Sequence, residues 1–490
     1  MLERKWCTLI VVCLAIFMLL LDITIVNVAL PPIARSLDAS FTDLQWVIDA
    51  YALTLATFVL NAGSLADLLG RKRVFVTGVI LFTAASVLCG AATSPLFLIL
   101  SRAGQGVGGA IMFATSLALL SEEFHGRERG TAFGIWGATT GAAVAVGPLV
   151  GGLLTTYLSW RWIFFVNIPI GIVATVLSVM HLRETRDEEH RGIDWIGLVT
   201  LSVSLFMFVF ALLRGNEKGW TSGLIIGMFV GGAVLLAAFI VSQWRGRSPM
   251  IDLRLFTRPA FTGAQITAFS LSSSVFAMFL YLTLYLQNYL GYSALQTGIR
   301  FLPITVLSFV CAAVSGTLTA RVPVRFLLAG GLALCAIGLL LLRNITVTSS
   351  WTALLPGFIL MGAGVGVTNP ALASTAIAVV PPAQAGMASG TNSTFRQVGI
   401  ATGIAAFGAI FEHHIRAAFP GIRTAQLNVL ASGRFPRRGP SIVEQAEHAF
   451  ISGLHELFVI GACVAAAGAV LALTLVRRRD FAAATAPAQG

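Results

Sequence analysis

Asp22 is the first residue whose chemistry is out of place. It stands in "MLLLDITIVNVALPP", residues 18–32, inside a run that is otherwise almost wholly apolar from Cys7 to Leu30. An ionised carboxylate at bilayer depth costs about 2.5 to 3.5 kcal/mol even on the lenient insertion scale, so one kept there has a partner or a task. Asp22 lies about 12 Å below one hydrocarbon surface at a rise of 1.5 Å per residue, and Asp49 and Arg102 fall at about the same depth in later apolar runs. An arginine beside carboxylates makes their charge state sensitive to geometry, so a small displacement would load or release a proton. The alternative is an ion pair that only aids folding, and Asp49, near an interface, is alternatively just hydrated.

A second group stands in "GSLADLLGRKR", residues 63–73, with Gly63, Asp67, Gly70, Arg71, Lys72 and Arg73 in one tight, basic turn. The glycines let the backbone reverse, and Asp67 is suited to accept hydrogen bonds from a helix N-terminus or an arginine elsewhere in the fold. It would then clasp two parts of the molecule together. Positive-inside topology explains the three basic residues equally well, but not Asp67. A third group is "GATTGAAVAVGPLVGG", residues 137–152. Gly137 with Gly141, and Gly147 with Gly151, are four apart and make small faces for close helix approach, Gly152 widens the second face, and Pro148 loosens the backbone bonding. We read this as a moving seam rather than as packing alone.

These residues need long apolar elements to hold them. The chain has 490 residues, 57% hydrophobic and only 11% charged, against about 25% charged in soluble domains. Apolar runs of the length a helix needs to cross hydrocarbon recur from end to end. Fourteen are expected, near 7–30, 43–64, 74–93, 96–121, 131–155, 161–181, 195–213, 221–243, 261–287, 296–320, 324–343, 351–374, 388–411 and 451–476. The first run is too long for a signal peptide. Lys and Arg concentrate in the short loops on one side, which puts both termini in the cytoplasm and accounts for the net charge of +11 without a nucleic-acid role. The excess of arginine over lysine, with abundant alanine and glycine, points to a GC-rich bacterium and so to its cytoplasmic membrane.

The chain also repeats. The turn at 63–73 has a counterpart at 316–325, and the glycines 104, 106 and 108 recur at 362, 364 and 366, a near-constant offset of about 255. The expected fold is therefore all-α and membrane-spanning, with two six-helix parallel-repeat bundles at 1–190 and 251–490 and two inserted helices at 191–250. A long extracellular loop is expected near 412–450. Chemistry beyond transport is sparse. The three lysines, Lys5, Lys72 and Lys218, never follow a glycine, so there is no phosphate-binding Walker loop, and the "GQGVGG" run has no strand before it. The six cysteines form no C-x-x-C pair, and the histidines fit no zinc pattern, so neither metal nor cofactor is expected, and no catalytic constellation presents itself.

Taken together, "LDITIVNVALPP", "GSLADLLGRKR", "SRAGQGVGGA", "GPLVGG" and "WRWIFFVNIPIG" resemble the major facilitator superfamily, and within it the fourteen-helix drug:proton antiporters. The resemblance covers nearly the whole chain. It implies proton coupling at Asp22 and Arg102, a cytoplasmic gate at Asp67 and its neighbours, and an exporter's seam at Gly147 and Pro148. Asp49, in "WVIDAYAL", stands where exporters of cationic biocides also have an acid, and "RQVG", from Arg396, resembles the second-half pattern of the multidrug branch. There is one departure: no Asp or Glu occurs between Leu253 and Phe411. A chamber with so few anionic anchors suits a neutral or monocationic amphiphile held by aromatic walls such as Phe276, Phe279, Tyr281 and Tyr285, although these rings could equally face lipid. The expected activity is proton-coupled export of amphiphilic small molecules by alternating access, from a monomer in contact with lipid. The rival readings are an importer or facilitator of the same fold and a membrane sensor that does not transport.

Overall fold

A computed structural model describes residues 3–39, 41–186, 194–246, 251–319, 321–381, 384–419 and 440–477. Every regular element among them is helical. The N-terminal group comprises α1 (Arg4–Leu37), α2 (Phe41–Leu69), α3 (Arg71–Gly90), α4 (Pro95–Glu123), α5 (Gly126–Tyr157), the one-turn α6 (Trp162–Phe165) and α7 (Asn167–His181). Then come α8 (Trp195–Lys218) and α9 (Gly223–Arg245). The C-terminal group comprises α10 (Pro259–Leu271), α11 (Ala277–Leu284), α12 (Ala294–Leu318), α13 (Val324–Leu342), α14 (Leu355–Ala378), α15 (Ala385–Ala418) and α16 (Pro440–Leu475).

Local signals fix several helix starts. Ser94 accepts from the Phe97 N–H and is followed by Pro95, Asp194 accepts from Gly197 N–H at 2.7 Å, and Ser293 with Gln296 forms a reciprocal capping box. Among the described residues, thirteen helices are long and apolar enough to cross a membrane. The fifth expected run, 131–155, lies in α5, a continuous 32-residue helix that is outside those thirteen. Two other runs are less uniform than expected. The run at 161–181 is split between α6 and α7, and the run at 261–287 contains wide π turns at Ser272–Phe276 and Tyr285–Tyr289 on either side of α11. The expected loop at 412–450 is shorter than that, since α15 continues to Ala418 and α16 begins at Pro440; residues 420–439 lie outside the described residues.

Each group has its own apolar core. One gathers Val12, Phe75, Phe82, Phe113, Phe133 and Trp136, and the other gathers Met278, Tyr285, Phe358, Phe411 and Phe458. The groups meet along two flanks, α5 against α12 and α2 against α15, and α8 lies outside the second flank in contact with both α2 and α15. The outer surface is apolar too: Leu96, Ile172, Val176, Met180, Val234 and Trp244 are all exposed. A surface of this kind is stable in hydrocarbon rather than in water.

Candidate functional site

Asp22 is the most deeply paired acid of the N-terminal group. Arg102 Nη1 donates to its Oδ2 at 2.5 Å, while Gln105 Nε2 and Asn167 Nδ2 donate to its Oδ1 at 2.8 and 2.9 Å. Arg102 also donates to Gln105 Oε1 at 2.7 Å and to the Val47 carbonyl at 3.1 Å, and its guanidinium lies 4.2 Å from the Tyr51 ring centroid. Ser86 closes the network, accepting from Asn167 and donating to the Phe164 carbonyl. Side chains from α1, α3, α4 and α7, braced by α2, therefore converge on one carboxylate whose residue has no solvent exposure. A charge in a low-dielectric interior is tolerable only when its lone pairs are met in this way. The sequence placed Asp22 and Arg102 at one depth, and the structure joins them. It did not single out Gln105, Asn167 or Ser86, since uncharged polar residues in apolar runs carry little signal.

Asp49 does not join this cluster. Its carboxylate pairs with Arg214 of α8 at 3.3 Å, and the Arg214 guanidinium lies 4.3 Å from the Trp46 ring, donates to Gln45 Oε1 at 3.3 Å and pairs with Glu217. The sequence expected Asp49 beside Asp22 and Arg102; α2 turns it outward to the inserted α8 instead.

The turn at 63–73 is a clasp between the two groups. Asp67 Oδ1 accepts from the Gly386 N–H at 3.0 Å and Oδ2 from the Met387 N–H at 2.8 Å, at the first turn of α15. Negative charge is stabilised at a helix N-terminus. Arg71 Nε donates to Asp67 at 2.9 Å and Arg71 Nη1 to Glu122 at 3.0 Å. Gly70 adopts φ of 109°, a conformation that glycine alone adopts freely, and Glu184 accepts from the N–H groups of Lys72 and Arg73 just after it. Arg73 itself is highly exposed beside Glu184. At Gly63 the backbone of α2 runs so close to Gly386 and Gly390 that a methyl group would collide with the Gly386 carbonyl. Among the partners of this turn, Glu122 and Glu184 had gone unnoticed in the sequence.

The glycines of α5 serve two contacts. Gly147 and Gly151 face Thr24 and Ile25 of α1, and a methyl group at Gly147 would overlap the Thr24 hydroxyl. Gly141 faces Ser308 of α12, Gly152 faces Leu295 of α12, and Gly137 faces Pro370 of α14. Pro148 lies within the continuous helix between these faces. Where α5 meets α12 and α14, a cavity of about 60 Å³ lies between the groups, lined by Leu20, Phe113, Gly141, Phe276, Phe279, Asn369 and Arg396 among others. Drug-sized pockets run to about 300–1,000 Å³, so this state is contracted around its centre. Tyr281 and Tyr285 are not among the residues lining it. Tyr281 donates to the Ile404 carbonyl at 2.9 Å and packs on Phe407 and Phe411, and Tyr285 stacks on Tyr289 at 5.2 Å, so both belong to the C-terminal core rather than to cavity or lipid. The π turn at Ser272–Phe276 shifts the facing of everything after it by a fraction of a turn, which regular periodicity cannot anticipate.

No group of three or more potential metal ligands occurs among the described residues. The family model described as Major Facilitator Superfamily matches residues 12–404. The chain is 37% identical over 433 residues to "Multidrug resistance protein Stp" of Mycobacterium tuberculosis, covering 86% of this chain and 80% of that protein. It is 30% identical over 492 residues to "Tetracenomycin C resistance and export protein" of Streptomyces glaucescens, covering 96% and 91%. Among solved structures, the proton:xylose symporter XylE of the same superfamily aligns with a TM-score of 0.67 at 12% identity, covering 97% of this chain and 96% of that one, which shows a shared fold. Paired helix bundles with charges buried between and within them, a lipid-compatible exterior and this family match lead to one assignment: the chain belongs to the Major Facilitator Superfamily and is a membrane transporter, not an enzyme.

Proposed function

We propose that this protein is a proton-coupled antiporter that exports amphiphilic small molecules across a bacterial cytoplasmic membrane by alternating access. The observation that carries the reading is the fully buried Asp22–Arg102 pair, held by Gln105 and Asn167 on a helix that also touches the glycine face of α5. The names of the relatives, one a multidrug resistance protein and one a resistance and export protein, support the direction. In this reading the layout is fourteen helices in a six, two, six order with both termini cytoplasmic. The bundles occupy 1–190 and 251–490, the inserted pair 191–250, and the transporter works as a monomer.

The mechanism follows from the contacts. A proton arriving from outside neutralises Asp22, and Arg102 then keeps its amide and carbonyl acceptors but loses its counter-charge. Burying that charge alone is costly, so α1 and α4 shift to re-solvate it. Thr24 and Ile25 sit within one turn of Asp22 on α1 and bear on Gly147 and Gly151, so α5 moves with α1. On its other face α5 carries Gly141, which lines the central cavity, and substrate is released outward as the proton is taken up. At the Asp67 end, the clasp onto α15 breaks when the cavity opens to the cytoplasm. Each proton crossing 100 mV supplies about 2.3 kcal/mol, enough to sustain roughly tens-fold accumulation.

The test uses inverted membrane vesicles with an acidic interior and a pH-sensitive dye. Compound-triggered proton release in wild type, absent in Asp22→Asn at equal insertion, is the expected result. Compound flux with no proton movement in wild type would make the protein a facilitator instead.

A further inference from the structure

The expectation from the sequence was a chamber suited to neutral or singly cationic cargo. The cavity is lined otherwise. Asp22 is taken up by Arg102, Gln105 and Asn167, and Asp49 by Arg214, so neither acid faces the central space. The charged side chain that does line it is Arg396 of α15. The C-terminal helices that line it, within Leu253 to Phe411, supply no counter-ion, since that stretch contains neither Asp nor Glu. Among the described residues no carboxylate pairs with Arg396 within ion-pair distance. Its recorded polar contact is a long hydrogen bond from Nη1 to Asn369 Oδ1 at 3.3 Å, and its guanidinium lies 5.7 Å from the Phe276 ring.

A guanidinium has five N–H donors, so one long bond leaves most of them unused. The ring contact stabilises a desolvated cation by less than burial within a membrane costs an arginine. An uncompensated charge facing a cavity is complementary to a charge that arrives from elsewhere. Around it stand the rings of Phe113, Phe276 and Phe279 and the side chain of Leu20, walls suited to a flat apolar body.

We propose that this cavity recognises aromatic amphiphiles through an anionic oxygen, a carboxylate or an ionised phenol or enol, which Arg396 and Asn369 bind while Phe113, Phe276 and Phe279 hold the ring system. This rests on the reading that the cavity is the transport site. A carboxylate matches the planar fork of an arginine and accepts two parallel N–H bonds, which a lysine cannot offer. At about 60 Å³ the present cavity admits a few waters, so the ligand enters when the α5 face at Gly141 parts from α12.

The experiment measures binding rather than transport. Wild-type protein in nanodiscs is titrated with anthracene-9-carboxylate, anthracene-9-carboxamide and 9-(trimethylammoniomethyl)anthracene, with empty nanodiscs subtracting partition into lipid. The carboxylate is expected to bind at least about ten-fold tighter than the carboxamide, and the cation weakest. Arg396→Gln is expected to bring the carboxylate to carboxamide ratio near one while carboxamide affinity stays, and Arg396→Lys to restore part of it. Equal affinity for the three compounds in wild type, preference for the cation, or no binding of any of them overturns the proposal without reference to a mutant. So does a carboxylate preference that persists in Arg396→Gln. Chloride titration at constant ionic strength separates a small inorganic anion site: displacement of the carboxylate only at the head group supports a shared anion subsite, and chloride binding with no carboxylate binding overturns it. Failure of proton coupling with a retained carboxylate preference would remove the antiport reading and leave this one. Normal antiport of the cation alone would do the reverse.

Discussion

Asp22→Asn tests whether the buried pair is an electrostatic unit, and it should be made alongside Arg102→Gln and the double variant. Asparagine keeps the shape of aspartate but leaves the Arg102 guanidinium, 2% exposed, with no anion. It also forces a choice of orientation: with its carbonyl at the Oδ1 position it still accepts from Gln105 Nε2 and Asn167 Nδ2 but turns a donor toward Arg102, and flipped it accepts from Arg102 but turns a donor toward both amides. Breaking one side of a buried pair costs about 3–5 kcal/mol, mostly through the charge left behind. Removing both charges leaves two amides that can bond each other, and should recover about 2 kcal/mol or more relative to the worse single variant, with the coupling energy given by the double's loss minus the sum of the two single losses. Thermal unfolding in detergent, followed by a thiol-reactive dye or by retention of monodispersity, reports the stability. Vesicle proton flux reports the function. The expected pattern is a strong fall in stability for each single variant, partial recovery in the double, and no coupled flux in any of the three. A double variant no more stable than the singles would refute the electrostatic account. Coupled flux in Asp22→Asn would remove Asp22 from the proton path altogether.

Other expectations follow from the same contacts. Asp67→Ala leaves the Gly386 and Met387 N–H groups and Arg71 without their shared acceptor. Charge-assisted bonds of this kind contribute about 1.5–3 kcal/mol each, so labelling of a cysteine placed on α15 near that end should rise ten-fold or more, and unchanged labelling would show that the clasp does not hold this state. Gly63→Val should have the same sign by steric means, since even a methyl group there meets the Gly386 carbonyl; wild-type labelling with normal transport would contradict the close approach. Tyr281→Phe removes a hydroxyl bonded to the Ile404 carbonyl and should lower stability by about 1 kcal/mol with KM unchanged, whereas Phe276→Ala should raise KM at least several-fold; a reversal of this split would return Tyr281 to the cavity. Arg214→Gln frees Asp49, whose side chain is 21% exposed, so the stability loss should be under about 1–2 kcal/mol and transport should persist, which separates this pair from Asp22 and Arg102.

The sequence was most informative where a residue was costly. Asp22 in an apolar run demanded a partner, and counting residues along helices found Arg102 at the same level. The same counting brought in Asp49 wrongly, because depth is one coordinate and facing is another, and a helix turns 100° per residue. Asp67 was legible because a basic turn does not need an acid, although its partner could be given only as a class, a helix N-terminus or an arginine. Small residues in α5 revealed close approach, but not that one helix serves α1 on one face and α12 with α14 on others. The aromatic residues were the least legible. Phe276 and Phe279 line the cavity while Tyr281 and Tyr285 do not, and the π turns that decide this depend on tertiary packing against α15 and α16 rather than on any local pattern. Gln105 and Asn167 were invisible for a simpler reason: their value lies in where they converge.

The position of α8 has a mechanical consequence. It is fastened to α2 at two levels, by Asn61 to Ser202 at 2.5 Å and by Arg214 to Asp49 and Gln45, whereas its recorded hydrogen bond to α15 is that from Asn216 to the Ala405 carbonyl at 3.2 Å. When α2 and α15 separate, the weaker attachment gives way first. In the proposed alternating-access motion the insert then rides as cargo on the N-terminal group, so the mass that moves is more than that group alone. One arm of the balance is heavier and wider, and its added area drags against lipid, so the rate at which the transporter turns over should depend on bilayer viscosity more steeply than the size of either bundle alone would predict.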